Sequence, residues 1–208
     1  VSIGTMGFLV RVFVLSLLVG ENLWVILTRA GAGLLEKGID IFNLSFTPDM
    51  RQVQIVALCL IKSKIDVGRS FPLSNFKNIS KLRNIELISL HKGEGEDQIK
   101  DINFDLTTLR DNFDTGEDAF VDTAAVMVNC DLIITSDTAT AHLAGALGCR
   151  TWVVLKKIPD WRWFLDRKDS PWYPSMTLYR KKYHGNWENI FETIQKDLQS
   201  ILKQGMSR

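Results

Sequence analysis

The chain is short of metal ligands and of charge of one sign. Its 208 residues hold three cysteines, Cys59, Cys130 and Cys149, with no C-x-x-C spacing among them. An odd, scattered set of this kind excludes a disulfide framework and a zinc ribbon. The expected state is a buried thiol in a reducing compartment. The three histidines, His91, His142 and His184, form no pair at helical spacing with a third ligand nearby, so no metal site is expected. Twenty-five Lys and Arg against 24 Asp and Glu leave a formal charge of +1. Such a chain has no field to gather nucleic acid or an anionic membrane. Nucleic acid is therefore not an expected partner, and any anion site must be local. No G-x-G-x-x-G follows any predicted strand, which argues against a Rossmann oxidoreductase. Internal repeats and low-complexity runs are missing as well.

What is present suits an ordinary globular domain. Hydrophobic residues make up 46% and charged residues 24%, enough for a sizeable core. Residues 1–50 fit least well. Phe8 to Gly20 reads FLVRVFVLSLLVG, and Leu23 to Leu27 continues apolar, with Arg11, Glu21 and Asn22 interrupting. A spanning helix needs about 20 mostly apolar residues, so a membrane anchor is marginal. A signal peptide would also need a cleavage site that is not evident. The favoured reading is a partial or divergent N-terminal segment. The RAGAG at Arg29 to Gly33 lacks dinucleotide spacing.

From residue 51 the pattern becomes strand–helix alternation. QVQIVALCLI from Gln52 predicts a strand buried on both faces. Pro72 opens a short helical stretch through Lys81, and Ile85 to Leu90 forms a second strand. Glu96 to Ile99 is read as a helical turn, and Asp101 to Asp114 as loop. Asp118 to Asn129 is read as a helix with Phe120, Ala124, Met127 and Val128 at helical spacing. Strand Asp131 to Thr135, helix Thr138 to Leu147 with its stop at Gly148, and strand Thr151 to Leu155 follow. A Trp-rich loop spans Pro159 to Pro174, then a strand from Met176 to Tyr179. Asn186 caps a last helix with the stripe Trp187, Ile190, Phe191, Ile194, Leu198 and Ile201. The expectation is α/β: a Rossmann-like open parallel sheet over residues 51–208, with helices on both faces.

One corner of that sheet carries chemistry. Ligands of open parallel sheets bind outside the carboxyl ends of the strands. Strand Asp131 to Thr135 runs into Ser136-Asp137-Thr138-Ala139, where a helix starts. Unpaired N–H groups and partial positive charge make a helix N-terminus an anion site, most naturally for phosphate. Asp137 or Thr138 is the expected cap. The small residues Ala139, Ala141, Ala144, Gly145 and Ala146 keep the helix slim, so a ligand can approach. A plain strand–turn–helix without ligand fits the spacing equally well.

SDTATAHLAGALG, from Ser136, resembles the S-D-T-x-x-x-H-L-A-x-A-x-G signature of bacterial glycosyltransferases of the two-Rossmann (GT-B) kind, the heptosyltransferase-like (family 9-like) and tetratricopeptide-associated types. IPDWRWFLDRKDSPWYP, from Ile158 to Pro174, resembles two further segments of that family at the right spacing. GRSFPL, from Gly68, resembles its R-S-x-P-L, and ISLHKG, from Ile88, its S-L-Q-K-G. The likeness runs from about Asp66 to Leu198. It departs where His91 replaces the usual Gln, and where IVALCLIKSK stands for a Gly- and Trp-containing strand end.

The resemblance implies the C-terminal, donor-binding half of such an enzyme. The donor would be a nucleoside-diphosphate sugar, with no other cofactor and no metal. The acceptor would be a hydroxyl on a protein or glycan. Ser136, Asp137, Thr138, Ala139 and His142 would sit at the diphosphate, with Arg69 or else Lys64 as its cation. His142 lies one helical turn beyond Thr138, on the same face. His91, Lys92, Asp160, Trp161, Arg162 and Trp163 would line the nucleotide pocket, by stacking and by guanidinium pairing. The alternatives are a histidine packed against the sheet, a Trp-rich loop folded on the core, and Arg162 paired with Asp166 or Asp169. The catalytic residue is unassigned; Glu21, Glu36, Asp40 and Asp49 qualify by chemistry alone. A cytoplasmic bacterial protein is implied, with peripheral inner-membrane association the less favoured option. A non-catalytic nucleotide-sugar-binding or interaction module, part of a longer tetratricopeptide protein, is the second functional reading.

Overall fold

The computed structural model describes residues 53–58, 68–93, 95–109, 113–115, 120–182 and 186–205. The N-terminal segment, Lys64, Cys59 and His184 lie outside them. Among the described residues six strands form one sheet: β1 Val53–Leu58, β2 Ile85–Ser89, β3 Thr107–Thr108, β4 Leu132–Ser136, β5 Thr151–Leu155 and β6 Met176–Arg180. Their order is β3-β2-β1-β4-β5-β6, and every pairing is parallel. The order reverses between β1 and β4, where Leu58 lies opposite Thr135. This is the Rossmann order, and the reversal opens a crevice at the carboxyl ends of those two strands.

Among the described residues four α-helices accompany the sheet: α1 Gln98–Asp101, α2 Val121–Val128, α3 Ala139–Ala146 and α4 Glu188–Gly205. Every residue of β4 and β5 is buried, because helices cover both faces. Leu132, Ile134, Trp152 and Val154 face one way, into a core with Phe71, Phe76, Ile190, Phe191, Ile194 and Leu198. That side is covered by α4 and by the 3-10 turn Leu73–Asn78. Phe191 meets the rings of Phe71 and Phe76 edge-on, each at 5.0 Å. The intervening residues face the other way. Ile133 packs with Val126, Met127 and Ala144, and Val153 and Leu155 pack with Ala141, Trp163, Met176 and Leu178.

The α4 stripe forms as its periodicity requires, and Asn186 Oδ1 accepts from the Glu188 N–H at 2.6 Å. Two sequence expectations are corrected. Asp101 to Asp114 is not all loop, because Thr107–Thr108 adds β3 at the sheet edge. Two exposed threonines leave no apolar signal to read. The expected stripe of α2 is also wrong: Phe120 and Val128 are 46% and 50% exposed, while Val121 through Met127 are all buried. This helix is enclosed rather than amphipathic. Its polar residues are satisfied inside: Asp122 Oδ2 accepts from Asp114 N–H at 2.9 Å, and Thr123 Oγ1 donates to Asp114. Among the described residues no helix is long and apolar enough to cross a membrane.

Candidate functional site

At the carboxyl end of β4 the chain turns from Ser136 into α3 through Asp137 and Thr138. Thr138 holds the cap position in extended backbone, φ −141° and ψ 172°, but its side chain makes no cap bond. The Asp137 carboxylate is engaged elsewhere, so the side-chain cap expected from either residue is not formed. Ala139 is exposed, with Thr138 and Thr140 half-buried, so the amide end of α3 reaches solvent. Ser136 is fully buried, and its Oγ has no protein partner. The helix packs closely because it is slim. A Cβ on Gly145 would lie 2.5 Å from Tyr173 Cγ and 2.4 Å from Met176 Cε.

The Trp-rich loop between β5 and β6 folds onto this corner. Trp163 is 1% exposed, and its Nε1 donates to Asp137 Oδ1 at 2.8 Å. His142, on α3, stacks on the Trp163 indole at 5.2 Å and 23°. His142 Nδ1 lies 3.1 Å from Tyr173 Oη. Burial holds the imidazole below its ordinary pKa of 6.5; Arg162 acts the same way, while Asp137 and Asp160 oppose it. The sequence offers His142 either a diphosphate or a packing against the sheet. The structure seats it between the indole and the phenol, with Asp137 close behind. Tyr173 is not in the expected site, and Trp163, expected at the nucleotide pocket, lies on Asp137 and His142 instead; the contacts of these two residues span 31 and 26 residues, which no local motif displays.

The rest of the loop presents an exposed polar and aromatic face. Asp160 Oδ1 accepts from Arg162 N–H at 3.1 Å and from Arg162 Nη1 at 2.8 Å, capping the 3-10 turn Trp161–Trp163. The backbone N–H of Arg162 is the main cause of the lowered Asp160 pKa, followed by its guanidinium. Arg162 also lies 5.0 Å over the Trp161 ring. Its partner is thus Asp160, not Asp166 or Asp169; Asp169 is taken by Arg167 at 2.7 Å. Trp161 is 69% exposed and Trp172 53%, with Trp172 Nε1 donating to Arg162 O at 3.0 Å.

His91 and Lys92 follow β2 and line a cavity of about 470 Å³ with Glu96, Ile99, Thr108 and Phe113. Lys92 Nζ donates to the Phe113 carbonyl. The sheet order puts β1 and β4 between these residues and the Asp160–Arg162 turn, three strand spacings of about 4.8 Å each. Arg69 is half-buried and follows Gly68, whose φ is +70°, two residues before the core residue Phe71. A second cavity, of about 460 Å³, lies between β6 and α4, lined by Tyr179, Arg180 and Asn189 among others. Neither of these two cavities is lined by the β4–α3 corner. Among the described residues no three His, Cys, Asp or Glu group as metal ligands.

No protein-family model matches the chain, and no curated protein is similar to it. Solved structures do match its fold. The E. coli heptosyltransferase WaaC with ADP superposes with a TM-score of 0.53 at 14% identity, over 76% of this chain and 47% of that one. The glycosyl transferase family 9 protein from Veillonella parvula DSM 2008 gives a TM-score of 0.55 at 13% identity, over 86% of this chain and 52% of that one. The chain therefore has a glycosyltransferase-like, Rossmann-type α/β fold, and it spans about half the length of each neighbour.

Proposed function

We propose that the chain binds a nucleoside-diphosphate sugar at the crevice between β1 and β4, as the donor half of a glycosyltransferase acting on a hydroxyl of a protein or glycan. The observation that carries this is the solvent-reaching, side-chain-uncapped amide end of α3 at the reversal of the strand order. Fold analogy supports it, since the matching WaaC structure holds ADP. The amides of Thr138 and Ala139 grip the diphosphate, and His142 and Arg69 donate to its oxygens, with Lys64 as a second cation. Ser136 brings a buried hydroxyl to the same turn. Asp137 acts mainly by holding Trp163, which shapes the wall on the β5 side. The His91–Lys92 cavity takes the nucleoside. Asp160, Trp161 and Arg162, on the far side of the corner, face the glycosyl end of an extended donor.

The second reading is a donor-binding module without transfer, built into a longer tetratricopeptide protein. The acceptor base is unassigned in this reading. Nucleotide binding with transfer and donor hydrolysis both at background decides for it.

The test is thermal unfolding with ADP, UDP and GDP, on wild type and on Ala139→Asp. A carboxylate at the first turn favours the helix by a few tenths of a kcal/mol, yet repels a phosphate there. At a hundred times its dissociation constant a bound nucleotide adds about 2.7 kcal/mol. The expected result is a shift in wild type that Ala139→Asp loses while remaining folded. No shift with any of the three, or an equal shift in the variant, contradicts the proposal.

A further inference from the structure

Tyr173 is placed by packing that does not depend on His142. Its ring fills the space left by the missing side chain of Gly145, and its N–H donates to Ser170 Oγ at 3.3 Å. From that position its hydroxyl meets His142 Nδ1 at 3.1 Å, while the face of the imidazole stacks on the Trp163 indole at 5.2 Å. A neutral imidazole carries one N–H and one lone pair, and the partner of one nitrogen decides the state of the other. Burial raises the Tyr173 pKa above its ordinary 10.0, so the phenol keeps its proton throughout the neutral range. Burial likewise disfavours the imidazolium of His142, with Arg162 adding to this and Asp137 and Asp160 opposing it.

We propose that Tyr173 is a positioning residue: its O–H donates to His142 Nδ1, which fixes the histidine proton on Nε2 as a neutral donor for a diphosphate oxygen. The role rests on the donor site proposed above. It gives that site a donor whose readiness does not depend on protonation. The chemistry wants this arrangement, because the alternative tautomer presents a lone pair to an anion. A phenol suits this position better than a carboxylate, which would pull the imidazole toward its charged form.

Long-range ¹H–¹⁵N correlation on the uniformly labelled full chain tests this, using wild type, Tyr173→Phe, and His142→Gln to identify the His142 signals. The phenylalanine keeps the ring against Gly145 and removes the hydroxyl alone. The expected wild-type pattern is the Nε2–H tautomer of His142, with Tyr173→Phe giving a mixture. ADP is expected to move the Nε2 signal in wild type, and calorimetry to give about threefold to tenfold weaker ADP binding in Tyr173→Phe. An Nδ1–H tautomer in wild type, or a tautomer unchanged by Tyr173→Phe, overturns the proposal. So does ADP that binds elsewhere in the spectrum and leaves His142 unmoved. If ADP moves no signal at all, the donor site itself is wrong, and the tautomer comparison still decides whether Tyr173 sets the imidazole. A merely structural role would weaken binding without changing the tautomer.

Discussion

Trp163 and Asp137, 26 residues apart, meet in a buried hydrogen bond of 2.8 Å from indole Nε1 to carboxylate Oδ1. It ties the β5–β6 loop to the end of β4, so the wall of the candidate site and its floor move together. Trp163→Phe removes the donor and leaves a carboxylate that is 8% exposed without it. The expected loss is about 1–3 kcal/mol, before any cost of the smaller ring. Urea unfolding measures it; a variant as stable as wild type would show that the bond contributes nothing.

Gly145→Ala sets a methyl against Tyr173 Cγ at 2.5 Å and Cδ1 at 2.7 Å. The Met176 methyl can swing aside, but the phenol ring, packed in place, cannot. Overpacking costs roughly 1–3 kcal/mol, against a helix-propensity gain of at most about 1 kcal/mol. A net loss of stability is expected, and it should shrink in a Tyr173→Ala background. Equal losses in both backgrounds would place the clash elsewhere.

His142 makes stability fall in acid. Its folded pKa is below the ordinary 6.5, mainly through burial, so the unfolded chain binds the proton first. The contribution is complete above 6.5, lost as the pH drops from there through the folded value, and constant below it. His142→Gln removes this component. The difference in unfolding free energy between wild type and variant should therefore change as the pH falls below 6.5, in the direction of wild type losing more.

Burial pushes the Cys130 thiol up to about 12 and the Cys149 thiol up to about 11. Thiolate is the reactive form, so both should alkylate slowly in the folded chain near neutral pH and quickly once it is unfolded. Peptide mapping by mass spectrometry after iodoacetamide treatment follows each site. Fast labelling of either in the folded chain would contradict its burial.

Much of the fold was legible because the central strands carry continuous apolar runs. LIITS and TWVVL are buried at every position, as a two-sided parallel sheet demands. The α4 stripe was legible for the matching reason, that one face meets the core and the other meets water. What escaped was structure without such contrast. α2 is enclosed all round, so periodicity misjudged Phe120 and Val128, and β3 is two exposed threonines. The turn from Ser136 to Ala139 is legible in the sequence as a strand-to-helix transition. The contacts that clamp this turn are not legible, since Trp163, expected in the nucleotide pocket, reaches Asp137, and Tyr173 reaches His142, only through the three-dimensional fold. The same holds for Gly145, whose role depends on a ring from β6's approach loop rather than on its own helix.

The central claim is that backbone amides at the start of α3 hold a diphosphate. Hydrogen–deuterium exchange of residues 138–141 with and without saturating nucleoside diphosphate reads those amides directly. Slowed exchange is expected there in wild type, with little change in Ala139→Asp at the same nucleotide concentration. Unchanged exchange at 138–141 under conditions where the nucleotide is bound would contradict the claim.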